Sequence, residues 1–242
     1  MSRTKFPILC SQKTVNSQFC IDNAKLRIVL IARFLKKTIL YFFHLQRQNI
    51  FMKNSYDVII IGSGIVGSLT ARYLSRYELS ILVIEKEIDV GMCPSSANSA
   101  IIHAGYDPKP GTLKAKMNAE GNRLWHELAP ELGIAYKKTG SLVVSFGPKD
   151  AEKLTELHEQ GLANNIPGIR IMERDELMKQ EPLLNPDAQA ALYAPEAAVL
   201  DPFGAVLAAA ENAVTNGVDY LFETSFEGFI FDGKRITGVI TN

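Results

Sequence analysis

Three glycines and one acid carry the most specific chemistry in this sequence. Gly62, Gly64 and Gly67 stand in the spacing G-x-G-x-x-G, and Glu85 follows eighteen residues after the last of them. Gly62 allows a tight turn out of a strand, Gly64 lets backbone approach a pyrophosphate, and Gly67 lets a helix pack closely on a strand. A helix that starts at such a turn offers free N–H groups and a partial positive charge to phosphates. An acid at the tip of the next strand can accept hydrogen bonds from the hydroxyls of an adenosine ribose. The turn formed by Gly62, Ser63, Gly64, Ile65, Val66 and Gly67, together with Glu85, is therefore the candidate binding site for a dinucleotide. An ordinary βαβ turn would account for Gly62, but not for all three glycines and the acid.

The flanking residues supply the elements this site needs. Residues 58–61 are a continuous apolar, β-branched run, the composition of a strand buried on both faces. Residues 65–76 read as a helix, and residues 81–84 as a second buried strand. The chain then enters a polar loop of small residues, DVGMCPSSANSAIIHAGY over residues 89–106. A nicotinamide-binding domain would usually continue with another helix and a third parallel strand. Here Ser95, Ser96, Asn98 and Ser99 place hydroxyls and an amide in one short run, fit to wrap phosphates and a ring edge. A solvated loop has the same composition.

The glycine motif, Glu85-Lys86 and the stretch SSANSAIIHAGYDPKPGTLKAKMNAEGN together resemble the D-amino-acid-oxidase-like flavoprotein superfamily. Within it, the sequence is most similar to the bacterial anaerobic-type glycerol-3-phosphate dehydrogenases, and is also similar to L-2-hydroxyglutarate dehydrogenases. The family pattern N-S-G-x-x-H-x-G appears as Asn98-Ser99-Ala100-Ile101-Ile102-His103-Ala104-Gly105, with Ala100 in place of the usual glycine. The resemblance runs over residues 56–242. It implies FAD as cofactor, with Lys86, Ser96, Asn98 and Ser99 joining the turn and Glu85 as cofactor-binding residues. It also brings residues 224–228 back to the adenine, with Phe226 where a smaller aliphatic is common.

The implied fold class is α/β: an incomplete Rossmann-like FAD-binding domain with a mixed, largely antiparallel α+β substrate domain. The expected division is an FAD-binding βαβ unit and cofactor loop over 52–133, part of a substrate domain over 134–200, and a return to the FAD-binding domain over 201–242. In the family a further long segment follows, so the chain reads as an N-terminal half.

The implied activity is oxidation of a small anionic secondary alcohol, with glycerol 3-phosphate going to dihydroxyacetone phosphate by hydride transfer to the flavin. L-2-hydroxyglutarate or another 2-hydroxy acid is the alternative substrate, amine or amino-acid oxidation uses the same scaffold, and a non-catalytic FAD-binding fragment is the alternative of another class. His103 is the histidine inside the cofactor-proximal motif. An ordinary imidazole suits a general base at neutral pH, and a hydrogen bond from His103 to flavin or loop backbone is the equal alternative. The electron acceptor is left open between quinone, oxygen and a partner iron–sulfur subunit.

Composition narrows the remaining classes. Residues 1–53 hold ten Lys or Arg and one acid, Asp22, whereas residues 54–242 hold sixteen basic and twenty-five acidic residues. The acidic part argues against nucleic acid as partner. The three cysteines, Cys10, Cys20 and Cys93, have neither metal spacing nor an even disulfide set, which points to a reducing, cytoplasmic setting. Residues 26–43 are apolar but interrupted by Arg27, Arg33, Lys36 and Lys37, which makes a poor spanning helix. Residues 1–51 read as an extension before a start at Met52; a mitochondrial presequence or a membrane-surface helix, with peripheral association at the inner face, are the other readings. P-loop, HExxH, GxSxG and CxxC patterns are absent from the sequence, which leaves no positive case for phosphoryl transfer or hydrolysis by those routes.

From residue 112 onward the periodicity predicts helices over 112–128, 151–163, 173–180 and 202–216, the last capped by Asp201. Strands are expected over 136–146 with a turn or bulge at Gly140, then 170–172, 190–193 and 218–223, with a hairpin formed by 226–231 and 235–240.

Overall fold

The structure is a computed structural model that describes residues 53–242; the expectations for residues 1–51 fall outside the described residues. The nucleotide end is built on β1 (Val58–Ile61), α1 (Ile65–Leu74) and β2 (Ile81–Ile84). β2 pairs in parallel with β1 on one side, Val58 opposite Ile81 through Ile61 opposite Ile84. On its other side it pairs in parallel with a strand from the far end of the chain, Leu82 opposite Asp219. All four β2 residues are buried, which is why the run reads as unbroken Ile, Leu and Val. Each such side chain contributes about 2 kcal/mol of transfer free energy.

β3 (Ile101–Ile102) and α2 (Leu113–Glu131) follow. The Thr112 hydroxyl caps α2 by accepting the Ala115 N–H at 3.2 Å. α2 runs through Pro130, past its expected end. Pro130 has no N–H for the carbonyl four residues back, and α2 ends one residue after it, at Glu131. The end is closed by Gly133 N–H to Pro130 C=O at 3.1 Å and Ile134 N–H to Ala129 C=O at 2.9 Å.

Next come β4 (Tyr136–Lys138), β5 (Ser141–Ser145), α3 (Pro148–Ala163), β6 (Arg170–Glu173), α4 (Arg174–Gln180), β7 (Ala190–Ala194) and β8 (Ala198–Leu200). The expected single strand over 136–146 is two strands in two different sheets. β4 joins β3 and β8 in one antiparallel sheet, order β3-β8-β4, while β5 joins β7 and β6 in another, order β5-β7-β6. Gly140 is the switch between them. Its φ is +69°, and a Cβ there would lie 2.7 Å from the Tyr193 ring, so only glycine fits.

The chain closes with α5 (Pro202–Thr215), β9 (Asp219–Leu221), β10 (Phe226–Asp232) and β11 (Arg235–Thr241). β9 is the third strand of the nucleotide sheet, and β10 and β11 form an antiparallel hairpin of their own. Asp201 occupies the N-cap of α5 but makes no side-chain cap bond, contrary to expectation. Its carboxylate lies over Gly204 instead, with Oδ2 2.5 Å from where a Cβ would be. α5 buries Ala205, Val206, Ala209, Ala210 and Ala213. Val206, Ala210 and Ala213 share one core with Ala71 of α1 and Ile81 and Val83 of β2, and small residues let α5 approach the other layers closely.

β3 is entered through Ala100, whose φ is +61°. An L-residue there costs about 1–2 kcal/mol, against about 0.5–1 kcal/mol of entropy for glycine. Ala100→Gly is therefore expected to stabilise the protein by about 0.5–1 kcal/mol and raise Tm by about 2 °C in a thermal melt.

Candidate functional site

The glycine turn is assembled by contact, not by flexibility. A Cβ on Gly67 would lie 2.0 Å from the Gly62 carbonyl oxygen and 3.4 Å from the Ile60 side chain, so the first turn of α1 sits directly on the end of β1. Gly62 N–H donates to Ile84 C=O at 2.8 Å, carrying the β1–β2 ladder into the turn. Ser63, fully buried, binds Glu85 twice: its N–H and its hydroxyl donate to Oε2 at 2.7 and 2.8 Å. The Ser63 carbonyl in turn accepts the Ser68 hydroxyl at 3.1 Å and the Gly91 N–H at 3.2 Å. Strand tip, helix and loop thus meet on one serine.

The first amides of α1 have no partner within the helix, and there is no acid in its first turn and no side-chain cap from Gly64. The Ile65 N–H donates to Ser95 Oγ at 3.0 Å. A neutral hydroxyl of the loop thus stands at the positive end of the helix, and Val66 beside it is 77% exposed. A cleft of about 360 Å³ opens there, lined by Ile65, Ser95, Asn98, Ala100, Trp125 and Pro202 among others. The donor set suits a diphosphate: helix amides and the Ser95 hydroxyl, with no carboxylate among the cleft residues and room in front of them.

Comparison with known proteins agrees. The family described as FAD dependent oxidoreductase (DAO) matches residues 57–242. The chain belongs to this FAD dependent oxidoreductase family. It is 46% identical over 164 residues to glycerol 3-phosphate dehydrogenase of Caloramator mitchellensis, a match covering 68% of this chain and 34% of the relative. It is 40% identical over 131 residues to human mitochondrial L-2-hydroxyglutarate dehydrogenase, covering 53% of this chain and 28% of the relative. Among solved structures, FAD-bound L-α-glycerophosphate oxidase of Mycoplasma pneumoniae matches with a TM-score of 0.70 and 34% identity, over 73% of this chain and 47% of that one. The matches span only 28% to 47% of these relatives' length. The α/β fold class and the cofactor expected for it, FAD, are those of the family.

Gly62, Ser63, Gly64, Ile65, Val66, Gly67 and Glu85 converge on the turn. Lys86 is 62% exposed, with Nζ 3.5 Å from Glu87. Ser96 spends its hydroxyl on Gly91 C=O at 2.5 Å. Asn98 braces the loop, accepting the Ala100 N–H at 2.8 Å and donating to the carbonyls of Pro94 and Ser95 at 3.2 and 2.9 Å. Ser99 is exposed. The chain returns beside Glu85 through Glu223 N–H to Glu87 C=O and Thr224 N–H to Glu85 C=O, at 3.0 and 2.9 Å. Phe226 begins the hairpin, its ring 4.8 Å from that of Phe229.

His103 lies apart from the cleft residues. It is exposed and lines a separate depression of about 130 Å³ with Tyr106, Asp107, Lys114 and Asn118. Among the described residues no helix is long and apolar enough to cross a membrane, and no cluster of acids, histidines and cysteines has metal-holding geometry. Sequence reasoning placed Ser95 in the loop fit to wrap phosphates but not among the residues that bind the cofactor, and gave Trp125 no such role. Nothing in the run Pro94-Ser95-Ser96 distinguishes the serine that reaches α1 from the one that folds back on Gly91.

Burial raises the Glu85 carboxyl, but the donors from the Ser63 N–H, the Glu87 and Lys86 N–H groups and the Ser63 hydroxyl outweigh it, and the net shift is downward. A depressed folded pKa stabilises the fold above the ordinary glutamate value of about 4.3 and loses that contribution as pH falls through the folded value. Urea unfolding from pH 7 to pH 3 is expected to show Glu85→Gln less stable by about 1–3 kcal/mol at pH 7. The gap should narrow steadily in the acid range.

Proposed function

We propose that the chain binds FAD at the glycine turn and serves the oxidation of a small anionic secondary alcohol, glycerol 3-phosphate before others. The observation that carries the reading is the acid-free N-terminus of α1 facing an open cleft, locked to Glu85 through Ser63. The amides of residues 65–67 take the diphosphate, displacing or joining the Ser95 hydroxyl. Glu85, held in place by the turn, takes the ribose hydroxyls with its remaining acceptor capacity. Lys86, Ser96, Asn98, Ser99 and Phe226 shape the walls around the cofactor. FAD, when bound, supplies the acceptor for the hydride released from the substrate's carbinol carbon. His103 takes the hydroxyl proton on an imidazole nitrogen as the ketone forms, and Lys114, which shares its depression, meets the anionic group of the substrate. The substrate assignment is supported by the 46% identity to the Caloramator glycerol 3-phosphate dehydrogenase. The final electron acceptor would be a quinone, oxygen or an iron–sulfur subunit, and peripheral association with a membrane fits a quinone.

A second reading, L-2-hydroxyglutarate oxidation, is supported by the 40% identity to the human enzyme. Anaerobic titration of the FAD-reconstituted protein separates the two. Glycerol 3-phosphate is expected to bleach the flavin absorbance, with L-2-hydroxyglutarate inert. The reverse pattern selects the second substrate. A protein that binds FAD but is bleached by neither is a nucleotide-binding module, and one that acquires no flavin bands defeats the reading altogether.

A further inference from the structure

We propose that Asn122, buried on α2, is a positioning residue for His103, a role that rests on the reading of His103 as the proton acceptor. β3 and β8 pair with Ile101 opposite Val199 and Ile102 opposite Ala198. The ladder ends there, and the next step in that register sets His103 opposite Ala197. Beyond the last pair, two carbonyls are left for other donors: those of His103 and Glu196. Asn122 Nδ2 reaches both, at 3.1 and 2.8 Å. One side-chain amide thus clips together the two chain segments where the strands part, and one of those segments carries His103.

The amide is itself held in a single orientation. With both hydrogens of Nδ2 given to carbonyls, Oδ1 is the atom that faces His126 Nε2 at 3.1 Å. Oδ1 can only accept, so Nε2 carries the hydrogen. Glu196 Oε2 lies 3.2 Å from the same nitrogen, and Lys138 Nζ binds Glu196 Oε1 at 2.7 Å. His126 Nδ1 is then left to accept the hydrogen of the Tyr136 hydroxyl. Burial pushes the Tyr136 phenol up, Lys138 pulls it down and the Glu196 charge pushes it up, with a net rise, so that hydroxyl keeps its proton. Every member has a partner. Asn122 is 6% exposed, and an amide buried to this extent, satisfied on both sides, specifies one geometry for what it holds. A leucine of the same shape would fill the space as well, so packing alone does not call for an amide here.

The test uses the FAD-loaded enzyme and four variants: Asn122→Ala, His126→Leu, His103→Ala and the Asn122→Ala/His103→Ala pair. Asn122→Ala strips two carbonyls of their donor; His126→Leu keeps both Nδ2 bonds to those carbonyls while removing the donor to Oδ1 and the acceptor of the Tyr136 hydroxyl, and is the gentler second probe. Turnover of glycerol 3-phosphate is expected to fall roughly tenfold to a hundredfold in Asn122→Ala and less in His126→Leu, by misplacement alone. KM should change less than about twofold, and the flavin absorbance per protein should hold. In the His103→Ala background, Asn122→Ala is expected to add nothing, since there is no imidazole left to place. Hydrogen exchange of the protein without FAD supplies the second readout. Residues 100–106 should exchange about tenfold faster in Asn122→Ala while β2 is unchanged. Losses that multiply across the pair, exchange that rises uniformly, or parental turnover in Asn122→Ala and His126→Leu beside a slow His103→Ala would each overturn the positioning role alone. Parental turnover in His103→Ala would overturn the proton-acceptor reading, and the positioning role with it.

Discussion

The approach of α1 to the tip of β1 is the contact on which the nucleotide end depends. Only a residue without a side chain tolerates a carbonyl oxygen 2.0 Å from its Cβ position, as Gly67 does with Gly62. That closeness buries Ser63, and a buried serine must satisfy both its N–H and its hydroxyl. Glu85 accepts both, so the turn and the end of β2 are tied by two bonds to a single oxygen. Behind them, Ala71 of α1 packs in the same core as Val206, Ala210 and Ala213 of α5. A bulkier residue at any of these alanines would lift a helix from the sheet and pull the turn apart.

The segment from Ala194 to Asp201 ties this end to the rest. Ala197 C=O accepts the N–H of Gly140, the residue where the chain changes sheets. β8 pairs with β3 on one side and β4 on the other. Leu200 N–H donates to Ala100 C=O and Asp201 N–H to Ala135 C=O, at 3.0 and 2.9 Å, immediately before α5 begins. The cleft beside α1 and the depression beside His103 are therefore fixed to one short run of backbone. Ala100 lines the first and His103 the second, with two residues of paired strand between them.

What was legible from sequence and what was not divides along physical lines. The β1–turn–α1–β2 unit was legible because a doubly buried strand such as β2 must be unbroken apolar and a close helix must begin at glycines; β1 carries the same composition but is only half-buried, with Ile61 exposed, contrary to expectation. The hairpin of β10 and β11 was legible from Asp232-Gly233 between two alternating runs. β3 and β8 were not, since strands of two and three residues carry no period. The break at Gly140 read as a bulge because either strand alone looks the same whichever sheet receives it. Asp201 has the residue type of a cap, but its carboxylate settles over Gly204, which offers open space where another residue would have a side chain. Asn122 was invisible among solvated neighbours on an amphipathic helix: a buried amide is written in the same letter as an exposed one, and only the two parted strands around it explain why it is there.

The loop before β3 shows how the cofactor end can be ready in advance. Its polar groups fall into two sets. Ser96 and Asn98 are consumed by the loop itself, through Gly91, Pro94, Ser95 and Ala100, and so hold its shape whatever lies in the cleft. Ser95 alone turns outward to α1, where its hydroxyl oxygen receives the Ile65 amide. A neutral oxygen at a helix N-terminus satisfies the hydrogen bond but leaves the helix dipole uncompensated, whereas an anion does both. A diphosphate arriving there gains the charge term at full strength, while the loop around it has little ordering entropy left to lose. The cost of shaping the site has been met within the protein, by an asparagine and a serine whose hydrogen bonds close on the loop itself.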